Sequence, residues 1–251
     1  MPKAQLTPEA RASSRGLARS ILRFPLELDA VATQGDVPDP PADDPVAGDG
    51  SGDGADEERA AVLNAARSVA ELDFNPVGSA GRACAYLSGP ATLTTAAHCL
   101  RDDAGAPMEP ALFARVVARF FVRDASGAAV AAVLARPVPG SLRFEDGVDV
   151  ARFDVTFVLG EAPPPLAFDE AALDEQVAVV THGHTATLQV TSAFGRVRAL
   201  EGRSVVHDCE THHGASGAPV FNSRWRVVAT HSGGVSDGPP PLKEGVAPSA
   251  P

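Results

Sequence analysis

The residues best equipped for covalent chemistry lie in one stretch, His207-Asp208-Cys209-Glu210-Thr211-His212-His213-Gly214-Ala215-Ser216-Gly217-Ala218-Pro219-Val220-Phe221-Asn222. Ser216 is a nucleophile only if a base takes its proton and if N–H groups face the oxyanion that forms on attack. Gly214 lets the backbone turn so that its N–H faces that oxyanion, with the Ser216 N–H beside it. Gly217, Ala218 and Pro219 are small or rigid and let the chain pass close beneath. Taken alone, the stretch reads equally well as a surface turn followed by a strand, since glycine-serine loops are common.

A second stretch, Ala91-Thr92-Leu93-Thr94-Thr95-Ala96-Ala97-His98-Cys99, shifts that balance. Its Thr-Ala-Ala-His-Cys run resembles the catalytic-histidine motif of chymotrypsin-fold serine proteases, and Gly-Ala-Ser-Gly-Ala-Pro-Val-Phe resembles their nucleophile loop. The order His, Asp, Ser along the chain is the order of that family. The resemblance covers roughly residues 72–240. It implies an all-β fold of two packed six-stranded antiparallel β-barrels with the active site in the cleft. It also implies a serine endopeptidase that works through an acyl-enzyme on a protein or peptide substrate without a cofactor. His98 is then the general base, and the Gly214 and Ser216 amides form the oxyanion hole.

The third member is a carboxylate that holds the other ring nitrogen of His98. The family pattern is an Asp that opens a small-apolar strand. Asp154-Val155-Thr156-Phe157-Val158-Leu159 fits and leads straight into Pro163-Pro164-Pro165, the expected connection between barrels. Asp154 is therefore the expected acid. Asp149-Val150-Ala151-Arg152-Phe153 competes, but it would put Arg152 and Asp154 inside a strand. Asp146 reads as a turn residue.

The second half resembles the bacterial glutamyl-endopeptidase branch, the V8-like proteases. The matching features are Phe194-Gly195-Arg196-Val197, Asp208-x-x-Thr211, Pro219-Val220-Phe221-Asn222 and Val227-Val228-Ala229-Thr230-His231-Ser232-Gly233-Gly234. In that branch a threonine five residues before the serine and a histidine opening the pocket strand hold a glutamate side chain. Those positions are Thr211 and His231 here, with Ser232 and Gly233 following on the substrate-binding wall. A hydroxyl and an imidazole both donate to a carboxylate, so cleavage after Glu, and less well after Asp, follows. Glu210, six before the serine, supports the rival reading, because trypsin-like enzymes keep there the acid that binds Arg or Lys. A pocket in which Thr211 and His231 merely pack would take a small apolar side chain instead. The Pro-rich stretch after Gly234 departs from the branch: no C-terminal helix is evident, and the last pocket strand is shortened to Glu244–Ala247 or absent.

These barrels need elements around them. Residues 1–24 form a basic arm, with a frayed terminus preferred over a short helix between Arg11 and Arg23. Residues 25–58 form an acidic linker rich in Asp, Gly and Pro, expected to be mobile. The protease domain spans 59–240 and a Pro-rich tail 241–251. A short helix begins at Asp56, Glu57 and Glu58, and Val62, Leu63, Ala66, Val69 and Leu72 continue at helical spacing. From Arg82 onward the pattern is strand-like, including one strand over residues 111–123.

Net charge is −11, but eleven of the 32 acids lie between Arg23 and Arg59, where there is no basic residue. The other 21 balance the 21 Lys and Arg, so no basic groove for nucleic acid is expected. No apolar run is long enough to cross a membrane, and no secretory leader is read. Of three cysteines, Cys84 and Cys99 flank a predicted hairpin; the resemblance implies that such a pair often bridges, which fits an oxidising compartment. The missing leader favours the cytoplasm with reduced thiols. His182, His184, His207, His212, His213 and His231 crowd the second half, but their spacing is not that of a zinc site, and no metal is expected. Two further readings stay open: a catalytically silent binding or scaffold protein on this fold, and a zymogen whose residues 1–58 dock on a regulatory partner or block the site.

Overall fold

The computed structural model describes residues 21–23, 52–74, 81–102, 104–123, 129–182, 190–236 and 242–247. Strand β1 (Ile21–Arg23) and helix α1 (Gly52–Ala66) precede the first barrel. That barrel uses β2 (Val69–Asp73), β3 (Arg82–Gly89), β4 (Thr92–Thr95), β5 (Val117–Arg123), β6 (Ala129–Pro137) and β8 (Ala151–Leu159). A helical turn, α2 (Pro110–Phe113), precedes β5, and the two-residue strand β7 (Arg143–Phe144) lies on β8. Neighbours run β4-β3-β2-β5-β6-β8, and β8 pairs back onto β4 to close the six. The second barrel uses β9 (Gln176–His182), β10 (Val190–Glu201), β11 (Ser204–His207), β12 (Pro219–Asn222), β13 (Val227–Ser236) and β14 (Leu242–Val246), in the order β10-β11-β14-β13-β12-β9, closed by β9 on β10. The expected all-β pair of six-stranded antiparallel barrels is what the chain forms.

Strand β3 shows why the barrels pack. Successive side chains on a strand point to opposite faces. Ala83, Ala85 and Leu87 enter the first core beside Leu93, Phe120 and Phe153, while Cys84 enters the second core beside Val179 and Val220. Tyr86 fills a third cluster in the seam, with Val62, Ala65 and Ala66 of α1 and with Val180, Phe221 and Val227. Its hydroxyl bonds Thr230 Oγ1 at 2.8 Å, so this buried phenol is satisfied across the seam. Fully burying one such large side chain contributes roughly 1.5–3 kcal/mol. A strand buried on both faces thus fastens barrel to barrel and holds the cleft between them.

Several boundaries differ from the sequence reading. The helix starts at Gly52, inside the expected linker, and stops at Ala66. Val69–Asp73 is a strand, paired with β3 and β5 and buried at all five positions. Ala66, Val69 and Leu72 mimic helical spacing because a strand buried on both faces shows no alternation. Its acids are covered by cations: Glu71 by Arg82 at 3.4 Å, and Asp73 by Arg119. The expected strand over residues 111–123 begins as a helical turn, with Pro110 at its first position, where a missing N–H costs nothing. Ile21–Arg23, expected to fray, pairs antiparallel with Thr191–Ala193. The doubted last strand is present as β14, paired with both β11 and β13. The expectations for the rest of residues 1–51, for His184 and for the end of the tail lie outside the described residues.

Candidate active site

His98 sits in a 3-10 turn (Ala97–Leu100) directly after β4, and Asp149 directly before β8. These strands pair antiparallel, Thr95 opposite Ala151, so the chain leaving one meets the chain entering the other. His98 Nδ1 lies 2.6 Å from Asp149 Oδ2, and the His98 backbone N–H donates to Asp149 Oδ1 at 2.8 Å. A carboxylate that accepts from Nδ1–H leaves Nε2 bare, the tautomer a general base requires. The pKa of His98 is raised, chiefly by this hydrogen bond. Burial pushes Asp149 upward, but hydrogen bonds from His98 and Ser232 outweigh it and hold the carboxyl low.

The expectation of Asp154 on His98 is corrected. Asp154 pairs with Thr92, three residues up the ladder from Thr95 and so about 10 Å away along the strand. Its carboxylate accepts from Thr92 Oγ1 at 2.9 Å and from Arg143 at 3.2 Å. The objection to Asp149 was a charged residue inside a strand. The fold answers it: Arg152 reaches Glu145 at 3.2 Å, and Glu145 also takes Arg203 at 2.7 Å.

The Ser216 loop makes two successive turns. The Ala215 N–H donates to the His212 carbonyl at 3.2 Å with Gly214 at φ 86°, and the Ala218 N–H to the Ala215 carbonyl at 2.9 Å with Gly217 at φ 85°. A positive φ at the third turn position is where glycine belongs. Among the described residues, no protein acceptor is found for the amides of Gly214 or Ser216. Ser216 Oγ donates to the Ser232 carbonyl at 3.2 Å, and Ser232 Oγ donates to Asp149. Ser232 therefore links serine and acid, a role its place on the substrate wall did not suggest.

The first barrel anchors this loop. The Cys84 N–H donates to the Ser216 carbonyl at 2.8 Å, Cys84 Sγ to the Gly214 carbonyl at 3.3 Å, and Thr95 Oγ1 to the Cys84 carbonyl at 2.6 Å. All three cysteines are free; burial raises the Cys84 thiol to about 12 and also pushes the Cys209 thiol up. A Cβ at Gly217 would stand 2.0 Å from the Cys84 carbonyl oxygen and 2.2 Å from Thr95 Oγ1. Gly217→Ala is therefore expected to lose roughly 2–5 kcal/mol, from backbone strain and overlap together, and to pull the barrels apart at the serine. A urea-unfolding midpoint within error of the parent would contradict this contact.

On the second-barrel side, Thr211 Oγ1 lies 3.1 Å from His231 Nε2, and His231 Nδ1 lies 3.3 Å from His207 Nε2. The Cys209 backbone N–H donates to His207 Nδ1 at 3.3 Å. A backbone N–H can only donate, so the proton of His207 is on Nε2 and is given to His231 Nδ1. His231 then carries its proton on Nε2 and gives it to Thr211, whose hydroxyl hydrogen is free to point outward. Desolvation holds both rings neutral, lowering His231 to about 4 and His207 well below its ordinary value. The sequence placed Thr211 and His231 at the pocket but not His207. At Gly233 nothing lies within 4 Å of where a side chain would start. Glu210 is half-buried beside Thr211.

Asp208 holds the approach to this loop. It accepts the Arg196 N–H at 2.6 Å and two guanidinium N–H groups of Arg198 at 2.8 and 2.6 Å. A Cβ at Gly195 would meet Asp208 Oδ1 at 2.5 Å, which accounts for the Phe-Gly-Arg run. The other histidines are used differently: His182 bonds the Val69 carbonyl at 2.8 Å, while His212 and His213 are exposed. Among the described residues, no group of three or more His, Cys, Asp or Glu is placed to hold a metal.

A double β-barrel with a histidine–carboxylate pair and a glycine-flanked serine in its cleft has the architecture of the chymotrypsin-like serine peptidases. The profile of the Trypsin-like peptidase domain family matches residues 83–229, more than half of the chain, and the chain belongs to that family. No curated protein matches it. Among solved structures it is similar to a Glu endopeptidase in complex with MPD, at 15% identity and TM-score 0.57, over 74% of this chain and 86% of that one. A protease from M. tuberculosis in its active form shares 18% identity at TM-score 0.56, over 86% and 91% of the two chains. The serine endoprotease from Yersinia pestis shares 12% identity at TM-score 0.54, over 74% and 61%. At these identities the likeness is one of fold.

Proposed function

We propose that the chain is a serine endopeptidase acting through an acyl-enzyme. The observation that carries this reading is the 2.6 Å contact of His98 Nδ1 with Asp149 beside the Ser216 loop, which leaves Nε2 as a base on the cleft. Rotation of the Ser216 hydroxyl from the Ser232 carbonyl toward Nε2 aligns it for attack. Its proton passes to His98 as the Oγ–carbon bond forms, and the oxyanion is met by the Gly214 and Ser216 amides. The intermediate collapses, the carbon–nitrogen bond breaks and His98 protonates the leaving amine. Water then repeats the sequence and frees Ser216. Asp149 keeps the tautomer and the ring orientation.

The acyl side of the substrate meets Thr211. Three donors in series, Cys209 N–H, His207 and His231, are all directed toward its hydroxyl, which leaves the hydroxyl hydrogen for a carboxylate and so suits an acidic side chain better than a basic one. The reading is therefore cleavage after Glu, and less well after Asp. Hydrogen bonds to a charged group are worth about 1.5–3 kcal/mol, so Thr211→Val is expected to lower kcat/KM for Glu peptides by roughly 10–100-fold. Leu peptides should change little. A matched fluorogenic series with Glu, Asp, Arg, Lys, Leu and Ala at the cleaved position measures this. Fastest cleavage after Arg, removed by Glu210→Ala, would replace the acidic reading with the basic one.

A further inference from the structure

A concavity at this site lies on the leaving side of Ser216, away from Thr211 and His231. A cavity of about 600 Å³ is bounded by His98, Gly214 and Ser216 and by first-barrel residues, among them Phe74, Met108 and Leu112. Thr211 and His231 belong to the second barrel, so a substrate whose acyl side chain meets them lays its leaving half here. We propose that this cavity selects a large apolar side chain within the two residues that follow the scissile bond. The proposal rests on the peptidase reading above and adds to it the substrate's leaving side.

The chemistry of the lining points to apolar matter. Phe74 is buried to 6% exposure, and Met108 and Leu112 are half-buried. Three of the four charged side chains around them are already engaged. Arg82 serves Glu71 at 3.4 Å. Arg101 stacks 4.2 Å over Phe144 and donates to the Gly105 carbonyl at 2.6 Å. Asp102 takes the Ala104 and Ala106 N–H groups at 3.0 and 2.8 Å. The fourth, Glu109, is exposed. What remains to meet a peptide is mainly carbon and sulfur surface, and Met108 adapts to irregular shapes. The wall is pre-formed: the Met108 N–H donates to the Leu100 carbonyl at 2.9 Å, and the Leu112 N–H to the Glu109 carbonyl at 3.0 Å. A fixed wall spares the ordering cost of binding.

Acyl-enzyme partitioning tests this on the full chain. Glu, Arg and Leu esters are offered, and the one turned over supplies the acyl group. Added amino-acid amides then compete with water: the amine nitrogen attacks the acyl carbon, the bond to Ser216 Oγ breaks, and the amine proton returns to Oγ through His98. Leu and Phe amides are expected to capture the acyl group about tenfold better than Gly amide, a ratio in the range one pocket contact commands. Dipeptide amides Ala-Leu and Ala-Gly read the second position in the same way. Met108→Asp, or Leu112→Ser if the first variant does not fold, should bring the Leu-to-Gly ratio toward one. Equal capture of Gly, Leu and Phe at both positions, preference for charged amides, or a ratio unmoved in a folded variant would overturn the inference alone. No ester turnover at all would overturn the peptidase reading and this inference together.

Discussion

Replacing Ser216 by alanine is expected to lower peptide hydrolysis by roughly 10⁵-fold or more while leaving the thermal midpoint almost unchanged. The rate falls this far because nucleophile and base act as a unit, so losing either removes the covalent route. Stability holds because the hydroxyl makes one hydrogen bond, to the Ser232 carbonyl at 3.2 Å. Such a bond is worth about 1 kcal/mol net. The turns that shape the loop run through backbone groups and through Gly214 and Gly217, which the substitution leaves alone. Hydrolysis assays and thermal unfolding of the purified variant check both halves. Retained hydrolysis would show that Ser216 is not the nucleophile.

The second large effect separates two aspartates. Asp149→Asn should cost about 10⁴-fold in rate, because an amide beside Nδ1 no longer fixes the tautomer that leaves Nε2 basic. Asp154→Asn should stay within a few-fold, since Asp154 bonds Thr92 and Arg143 at the other end of the β4–β8 ladder. The pH profile adds a sign. His98 must be neutral to accept a proton, so kcat/KM falls on the acid side as it protonates. Asp149 stabilises the imidazolium and raises the His98 pKa, so removing the anion lowers that pKa. The acid limb of the residual activity of the Asp149→Asn variant should therefore move to lower pH. The opposite ranking of the two variants would return the acid's role to Asp154.

That His98 and Ser216 would meet at one cleft was legible in the sequence, because each sits in a contiguous motif. The acid was not, because its partner is fixed by strand register. Asp149 and Asp154 stand on the same short segment, and only the pairing of Thr95 with Ala151 decides which meets His98. Arg152 is unfit for a strand interior by local pattern alone, until Glu145 in the segment leading into β8 reaches back to it. Thr211 and His231 were placed by resemblance, but His207 was seen only as one histidine of several. Its role depends on a backbone N–H two residues on and a ring 24 residues away, a contact no local pattern announces. The fold class was readable from the resemblance carried by the His98 and Ser216 motifs, supported by the strand-like pattern from Arg82 onward. The helix-to-strand change between Ala66 and Val69 was not, because β2 is buried on both faces and so lacks a period of two. Gly217 looked merely small; that Cys84 and Thr95 of the other barrel leave no room for a side chain is a fact of the seam.

The central claim is that Ser216 is an activated nucleophile, with His98 as its base. An active-site-directed fluorophosphonate, reacted with the full chain and with a chain lacking residues 1–51, followed by peptide mass mapping, tests it most directly. The phosphonyl group is expected on Ser216 of the full chain in one-to-one amount, and to be lost in His98→Ala. Labelling only of the shorter chain would keep the claim and add that the arm holds the enzyme latent. Absence of the adduct from both chains, with the fold intact, would contradict the claim and leave a silent protein on a peptidase fold.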